Sequence, residues 1–206
     1  MSVNSQSNFQ LVNFFIGDYP PIGVNQVLYV KYTEDMRQAT TTMEVQITDS
    51  STGFLSELQG MEPVFIRIAD SENKTEVGGS FVVYDIQDRR NIGGKSSAVL
   101  MLCTPDFINN AANKISRRFG KGMGIKIHDI VKNEILNKLM NVDESRLINF
   151  EPCVNKYSFV SPYWNPFTAI RWLAAKAIPA RGSGFSATAG YAFYETRSGY
   201  HFVSYD

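Results

Sequence analysis

Residues 98–106 read Ala98-Val99-Leu100-Met101-Leu102-Cys103-Thr104-Pro105-Asp106, and the sequence pattern changes within this stretch. The first five residues form an unbroken apolar run, which is typical of a strand covered on both faces. Thr104 is a good helix N-cap, Pro105 suits the first helical position, and Asp106 favours the positive end of the helix dipole. The sequence therefore predicts a β-rich domain that ends near residue 104 and a helical region that begins at residue 105.

Short strands are predicted on the N-terminal side of this stretch. Met43, Val45 and Ile47 alternate with polar residues at a period of two, the pattern of a half-buried strand. Clusters of turn-forming residues separate this run from similar ones. Five or six strands at such spacing predict a small antiparallel β-barrel or sandwich. The predicted strands centre on residues 27–30, 43–47, 64–68, 81–84 and 98–102.

Helical spacing follows residue 105. The first predicted helix ends at Arg117 and Arg118, whose charges suit the C-terminal end of the helix dipole, and Gly120 terminates it. A second amphipathic helix is predicted from Ile127 to Leu139, and Asn165-Pro166 begins a third. The last predicted element is a β-hairpin over residues 191–203.

The predicted fold class is α+β, with a small antiparallel β-barrel followed by a mixed helical and β-hairpin domain. The barrel spans residues 26–104 and the second domain residues 105–206. Residues 1–25 are polar and contain Pro20-Pro21, which forces an extended backbone. We therefore expect an N-terminal arm that orders on a partner, with Phe14-Phe15-Ile16 as its apolar anchor.

The net charge of the chain is zero, from 20 Lys and Arg against 20 Asp and Glu among 206 residues. A wholly cationic nucleic-acid binder is thereby excluded. The charge is unevenly distributed: residues 1–104 carry −5, residues 105–140 carry +4 and residues 141–206 carry +1. Local charge is therefore more informative than the total.

No catalytic, metal or cofactor motif is present in the sequence. His128 and His201 lack the spacing of a zinc site, and Gly120-Lys121-Gly122-Met123-Gly124 lacks the Walker pattern, so we interpret it as a helix–helix connector. Cys103 and Cys153 are too few for a disulfide framework and are expected to be buried free thiols in a reducing cytosol. We expect a soluble, non-enzymatic protein without a signal peptide, a membrane span, a cofactor or a metal.

Two sets of residues are candidate interaction sites. Basic residues concentrated in 105–140 could bind nucleic-acid phosphates or an acidic protein partner, and the sequence leaves both open. The aromatic residues of 163–167 could form a ligand cage, although core packing is the simpler interpretation. The candidate interface comprises Lys114, Arg117, Arg118, Lys121, Lys126, Tyr163 and Trp164, and the wider basic set adds Lys132 and Lys138.

The order of these elements resembles the central baseplate hub proteins of contractile-tailed bacteriophages, which are related to the N-terminal barrels of type VI secretion spikes. The resemblance runs over most of residues 25–206. It is carried by Phe54-Leu55, Leu58, Gly60, Glu62 and Val64-x-Ile66-x-Ile68, by Phe81-x-Val83-Tyr84-x-Ile86, by Leu102-Cys103-Thr104, by Ile115-Ser116-Arg117-Arg118-Phe119, by Ser161-Pro162-Tyr163-Trp164-Asn165-Pro166-Phe167 and by the hairpin residues 193–202.

The resemblance implies a structural protein of the virion tail baseplate, assembled in the host cytoplasm. Such hubs are trimers that join the tail tube to the central spike, so the expected partners are other copies of the chain, the spike, the tail tube and other baseplate proteins. The family's second barrel would follow Asp206, so the chain is expected either to be a piece of such a hub or to lack that barrel. DNA would only pass through the lumen, whose candidate acidic residues are Asp70, Asp85 and Asp88.

Overall fold

The computed structural model describes residues 9–50, 53–70, 76–180 and 190–205, which form two compact units. The first unit comprises the described parts of Met1–Thr33 and Thr42–Pro105, and the second those of Glu34–Thr41 and Asp106–Asp206. In the first unit lie β1 (Phe9–Ile16), β2 (Val27–Thr33), β3 (Thr42–Asp49), the short helix α1 (Phe54–Glu57), β4 (Pro63–Asp70), β5 (Glu76–Ile92) and β6 (Lys95–Cys103).

The strands of the first unit form one six-stranded sheet in the order β1-β4-β5-β6-β3-β2, with every neighbouring pair antiparallel. The sheet curls as a half-barrel, which confirms the predicted α+β class with an antiparallel barrel-type domain. In the described part of the chain, β1 and β2 are the two edges of this sheet.

Alternation at a period of two determines which residues face the core of the first unit. Val45 on β3 is opposite Leu100 on β6, and both are fully buried, whereas Glu44 and Gln46 lie on the other face. Directly opposed apolar side chains on one face are the main stabilising element of a sheet. The fully or nearly fully buried aliphatic residues of this core include Met43, Val45, Ile47, Val64, Ile66, Val83, Ala98, Leu100 and Leu102.

The predicted N-terminal arm is wrong for residues 9–16, which form the edge strand β1. Phe14 is opposite Ile66 on β4, and Phe14 and Ile16 are 1% and 0% exposed. The apolar anchor therefore docks on the chain's own sheet, since burying these two side chains stabilises the strand by about 1.5–3 kcal/mol each.

The second unit combines short strands with short helices. Its elements are α2 (Pro105–Ala112), β7 (Arg118–Phe119), β8 (Ile125–Lys126), α3 (Ile127–Asp129) continued by a π-helical segment (Ile130–Asn137), a 3-10 turn (Glu144–Arg146), β9 (Leu147–Phe150), β10 (Lys156–Tyr157), β11 (Phe159–Val160), α4 (Pro166–Ala174), β12 (Tyr191–Thr196) and β13 (Gly199–Ser204). The predicted terminal hairpin is present as β12 and β13, and β9 pairs with β13 in parallel, which was not predicted.

The first predicted helix of this unit is shorter than expected, because it ends at Ala112 rather than at Arg118. Three asparagines at 109, 110 and 113 lower its helix propensity. The Asn165 side chain donates to the carbonyl of Asn110 at 2.8 Å, which satisfies the end of the helix. Ile115 then donates to the Trp164 carbonyl at 2.7 Å, so the chain continues in extended form.

The second unit adds a buried charge network to an apolar core built on Ile130, Ile135, Ile170 and Phe202. The Arg146 guanidinium contacts Asp106 at 2.6 Å and also binds Glu195, and these carboxylates are almost fully buried. Tyr200 donates to Asp106 at 3.0 Å, and the Thr41 backbone N–H donates to Glu195 at 2.8 Å. Residues 34–41, which fall inside the predicted barrel range, belong to the second unit partly through this last contact.

Candidate interaction surfaces

One antiparallel ladder with an internal loop carries three residues of the candidate interface: Arg118, Lys121 and Lys126. Residues 156–160 pair first with 125–126 and then with 118–119: Lys156 is opposite Lys126, Tyr157 opposite Ile125, Phe159 opposite Phe119 and Val160 opposite Arg118. Ser158 faces the five-residue excursion Gly120–Gly124, which leaves the ladder and returns to it. The predicted helix–helix connector is therefore a loop between two strands.

Two glycines form the neck of this loop. Gly120 and Gly124 have φ of 67° and 79°, and a Cβ on either would lie 2.4 Å or 2.9 Å from the Tyr157 carbonyl oxygen. A side chain cannot be accommodated at either position without moving the Tyr157 backbone. Ser158 also donates its hydroxyl hydrogen to the Gly120 carbonyl. The neck is thus fixed to the opposite strand, and Lys121 and Met123 project from the loop, Met123 being 86% exposed.

The two faces of the ladder differ in character. Phe119, Tyr157 and Phe159 lie on the inner face. The ring centroids of Phe119 and Phe159 are 5.1 Å apart in a stacked arrangement, and those of Phe159 and Trp172 are 5.0 Å apart. Because side chains alternate along a strand, the outer face carries the other set of residues. We call Arg118, Lys126 and Lys156, together with the loop residue Lys121, the cationic face. Val160, 64% exposed, lies on the outer face opposite Arg118.

Lys126 and Lys156 are cross-strand neighbours of like charge. Directly opposed residues have Cβ atoms about 4.5–5.5 Å apart, and like charges at this distance destabilise a sheet. Among the described residues, no side chain of the cationic face forms an ion pair with a carboxylate. Sequence reasoning missed Lys156 because it lies outside residues 105–140; the alternation of Lys156, Ser158 and Val160 with two aromatic residues was the available signal.

Other members of the predicted basic set have contacts within the chain, and two of them share one carboxylate. Arg117 lies 2.9 Å and Lys138 2.5 Å from the Glu134 carboxylate, and the Lys114 ammonium donates to Asn165 at 2.6 Å. Lys132 lies over the ring of Phe150. Of the predicted basic set, only Arg118, Lys121 and Lys126 therefore belong to the cationic face.

The two predicted aromatic interface residues differ in exposure. Trp164 is half-buried and contacts Trp172, with 5.4 Å between ring centroids, whereas Tyr163 is 67% exposed and has φ of 61°. Trp164 belongs to a packed aromatic cluster with Tyr157, Phe159 and Trp172. Phe167 of the same segment contacts Phe193 and Tyr200 of the terminal hairpin.

The predicted lumen residues lie on the long strand β5 and at the end of β4. Asp85 and Asp88 are exposed and fall in two irregular positions of β5, where the register with β6 shifts. Asp85 accepts from the Ile86 backbone N–H at 2.9 Å and from the Gln87 side chain at 2.7 Å. Asp70 ends β4, and its side chain lies outside the described part of the chain. That these residues line a lumen stays a prediction.

A Cys–His pair, which the sequence did not reveal, lies in the second unit. The His128 Nδ1 atom accepts from the Cys153 backbone N–H at 3.1 Å and lies 3.2 Å from the Cys153 sulfur. Burial raises the pKa of the Cys153 thiol. Burial and the charge of Lys126 lower the pKa of His128, while Asp129 opposes them. Both groups are therefore held neutral, whereas a nucleophilic pair needs a thiolate beside an imidazolium.

Both cysteines are buried and free, as predicted. Within the described residues, no three His, Cys, Asp or Glu side chains group as metal ligands would. The helices of the same residues are all too short or too polar to cross a bilayer.

No protein-family model matches the sequence, and no curated protein matches it significantly. Solved structures do match the fold. The 43 kDa tail protein of prophage MuSo2 from Shewanella oneidensis aligns with a TM-score of 0.61 at 8% identity, over 96% of this chain and 55% of that one. A tail protein from Neisseria meningitidis aligns with a TM-score of 0.54 at 10% identity, over 94% of this chain and 51% of that one.

The chain spans about half the length of these tail proteins. At this level of identity the likeness concerns the fold alone. The half-barrel followed by a mixed helical and β-hairpin unit is thus a fold that occurs in phage tail proteins, in agreement with the resemblance found in the sequence.

Proposed function

We propose that the chain is a structural component of a phage tail baseplate hub that adapts the tail tube to the central spike. The observation that carries this proposal is the alignment of 96% of the chain with the prophage tail protein. An open half-barrel sheet supports it, because the edge strands β1 and β2 offer backbone groups for pairing with other chains. The proposed role is mechanical and involves no bond chemistry.

The proposed assembly is a homotrimer in the virion tail that binds the spike, the tail tube and other baseplate proteins. Obligate contacts of this kind commonly bury more than about 2,000 Å² in total. Asp70, Asp85 and Asp88 would face the lumen and repel DNA phosphates, so that the genome passes without binding. The host cytoplasm would be the place of assembly.

The mass of the protein in solution, alone and mixed with a candidate spike protein, tests the proposal. Light scattering coupled to size-exclusion chromatography is expected to give a trimer that co-elutes with the spike. A protein that stays monomeric and does not bind spike or tube protein would overturn the hub role.

The alternative, a nucleic-acid-binding module on basic helices of residues 105–140, receives less support from the geometry. Arg118 and Lys126 lie on strands, while Arg117 and Lys138 share the Glu134 carboxylate. The rings of the ladder, Phe119, Tyr157 and Phe159, pack against the core of the second unit, whereas single-stranded nucleic acid stacks on exposed rings. Absence of oligonucleotide binding at low salt would eliminate this alternative, since phosphate contacts are strongest there.

A further inference from the structure

The cationic face and its loop are exposed at the surface of the second unit. The Gly120 and Gly124 neck packs closely against the Tyr157 backbone, and Lys121 and Met123 lie exposed on the loop between the two glycines. The opposed Lys126 and Lys156 repel each other, and the described residues supply no carboxylate to relieve them. Such a repulsion is relieved when an acidic surface covers both ammonium groups.

The chemistry of this surface favours a protein partner over a nucleic acid. Met123 and Val160 are 86% and 64% exposed beside the cations, and a flexible thioether packs well into a shallow apolar hollow of another protein. Single-stranded nucleic acid would instead need exposed rings, and the rings of this ladder face the core.

The charge distribution of the chain favours a second copy of the same chain as the acidic partner. The first unit has ten acidic and six basic residues, and the second has fourteen basic and ten acidic residues. The two units therefore carry −4 and +4, so a second copy of the chain offers the cationic face a unit of opposite net charge. Asp18, Glu57 and Asp85 are among the exposed carboxylates of the acidic unit.

We propose that the cationic face, with Met123 and Val160, docks on the acidic first unit of a second copy of this chain. The contact is heterologous, because a different surface is used on each partner, and repetition of it gives a ring when the rotation closes and a filament when it does not. A three-fold ring of this kind would be the homotrimer proposed above, so the inference rests on that part of the proposed function and names the two surfaces that form the contact.

The substitution Lys156→Glu tests the inference in the full-length chain. The change turns a repulsive cross-strand pair into an attractive one, so the variant is expected to unfold at the same or a higher temperature. Its self-association, measured by sedimentation velocity at low salt, is expected to weaken about ten-fold, which corresponds to about 1.4 kcal/mol. Loss of association without loss of stability separates docking from folding.

The matched control is Arg197→Glu, which alters the net charge equally at an exposed position in the turn between β12 and β13. It is expected to leave self-association unchanged. Raising the salt from about 0.1 M to 1 M should dissociate the unmodified protein, because the screening length falls from about 10 Å to 3 Å.

Zero-length cross-linking of mixed isotopically light and heavy chains identifies the two surfaces in contact. Intermolecular links from Lys126 or Lys156 to carboxylates of residues 1–33 or 42–105 are expected. A chain that stays monomeric at low salt overturns both this contact and the proposed homotrimer. Links confined to the second unit, or a Lys156→Glu variant that associates as well as Arg197→Glu, overturn the contact alone and leave the proposed homotrimer standing. If Lys156→Glu instead abolishes oligonucleotide binding and leaves self-association intact, the face binds nucleic acid and the inference is wrong.

Discussion

The first unit surrounds its sheet with aliphatic side chains such as Val45, Ile66 and Leu100, whereas the second unit places Arg146, Asp106 and Glu195 in contact near its terminal hairpin. Apolar burial is non-directional and scales roughly with the apolar area that is removed from water. A buried ion network is different, since removing one member leaves the other charges without compensation. The two units should therefore fail in different ways when single residues are changed.

The largest effect is expected from Arg146→Ala. Glu195 and Asp106 are 2% and 8% exposed, and losing their common cation should lower the free energy of unfolding by about 3–5 kcal/mol. Both tryptophans, Trp164 and Trp172, lie in the second unit, so their fluorescence in urea follows this loss. Lys31→Ala, which breaks an exposed pair with Glu44, should cost less than about 1 kcal/mol. Equal losses in the two variants would contradict the importance of the buried network.

Leu100→Ala should destabilise the first unit by about 2–5 kcal/mol, because a fully buried side chain leaves a cavity between β5 and β3. Far-UV circular dichroism measures the loss of strand structure. Val12→Ala, at a 40% exposed edge position, is the control and should change stability by less than about 0.5 kcal/mol. If tryptophan fluorescence and dichroism shift together in Leu100→Ala, the units unfold as one and the contrast between them does not extend to unfolding.

A smaller difference in stability is expected between alanine substitutions at two glycines of the same loop. Gly120 and Gly122 have φ of 67° and 66°, but only at Gly120 would a Cβ meet the Tyr157 backbone. Gly120→Ala should therefore cost about 1–3 kcal/mol more than Gly122→Ala, by analogy with overpacked cores. Urea unfolding followed by tryptophan fluorescence measures the difference. Equal costs would mean that the neck relaxes freely and does not fix the loop.

The smallest expected effect is on the pH dependence of the free energy of unfolding, through the protonation of His128. The folded state lowers the pKa of His128 from its ordinary value of 6.5, mainly through burial. The unfolded chain therefore binds the proton more readily. The stability that the neutral ring contributes is complete above pH 6.5 and is lost as the pH falls through the lowered value. A His128→Gln variant should show a flatter loss of unfolding free energy on acidification. If the unfolding free energy of the variant depends on pH as that of the unmodified protein does, His128 makes no such contribution.

The sequence located β2 to β6 of the first unit because their determinants are local, and it missed only the edge strand β1 among the described strands of this unit. The alternation of Met43, Val45 and Ile47 encodes which face is buried, and no distant residue is needed to recognise it. The helix that begins at Pro105 was also correctly placed at its start, where cap residues and proline act within one turn.

Prediction failed where distant residues decide the local structure. Arg117 and Arg118 suit the end of a helix, but pairing with residues around 160 draws this segment into a strand. The Cys153–His128 contact joins positions 25 residues apart, and Lys156 joins the cationic face only through its register with Lys126. Local propensity yields to tertiary packing in such cases. Whether the acidic residues 70, 85 and 88 line a lumen depends on neighbouring chains and stays a prediction.

Residues 34–41 lie between two paired strands of one unit but belong to the other, so the polypeptide passes from one unit to the other three times. No single cut can therefore separate the two units into complete halves. During synthesis, Thr41 leaves the ribosome long before Glu195, its partner 154 positions later. Contacts of such long sequence separation form late. The strands of the first unit can therefore pair before residues 34–41 form their contact with Glu195. The second unit is completed only after the terminal hairpin has been synthesised.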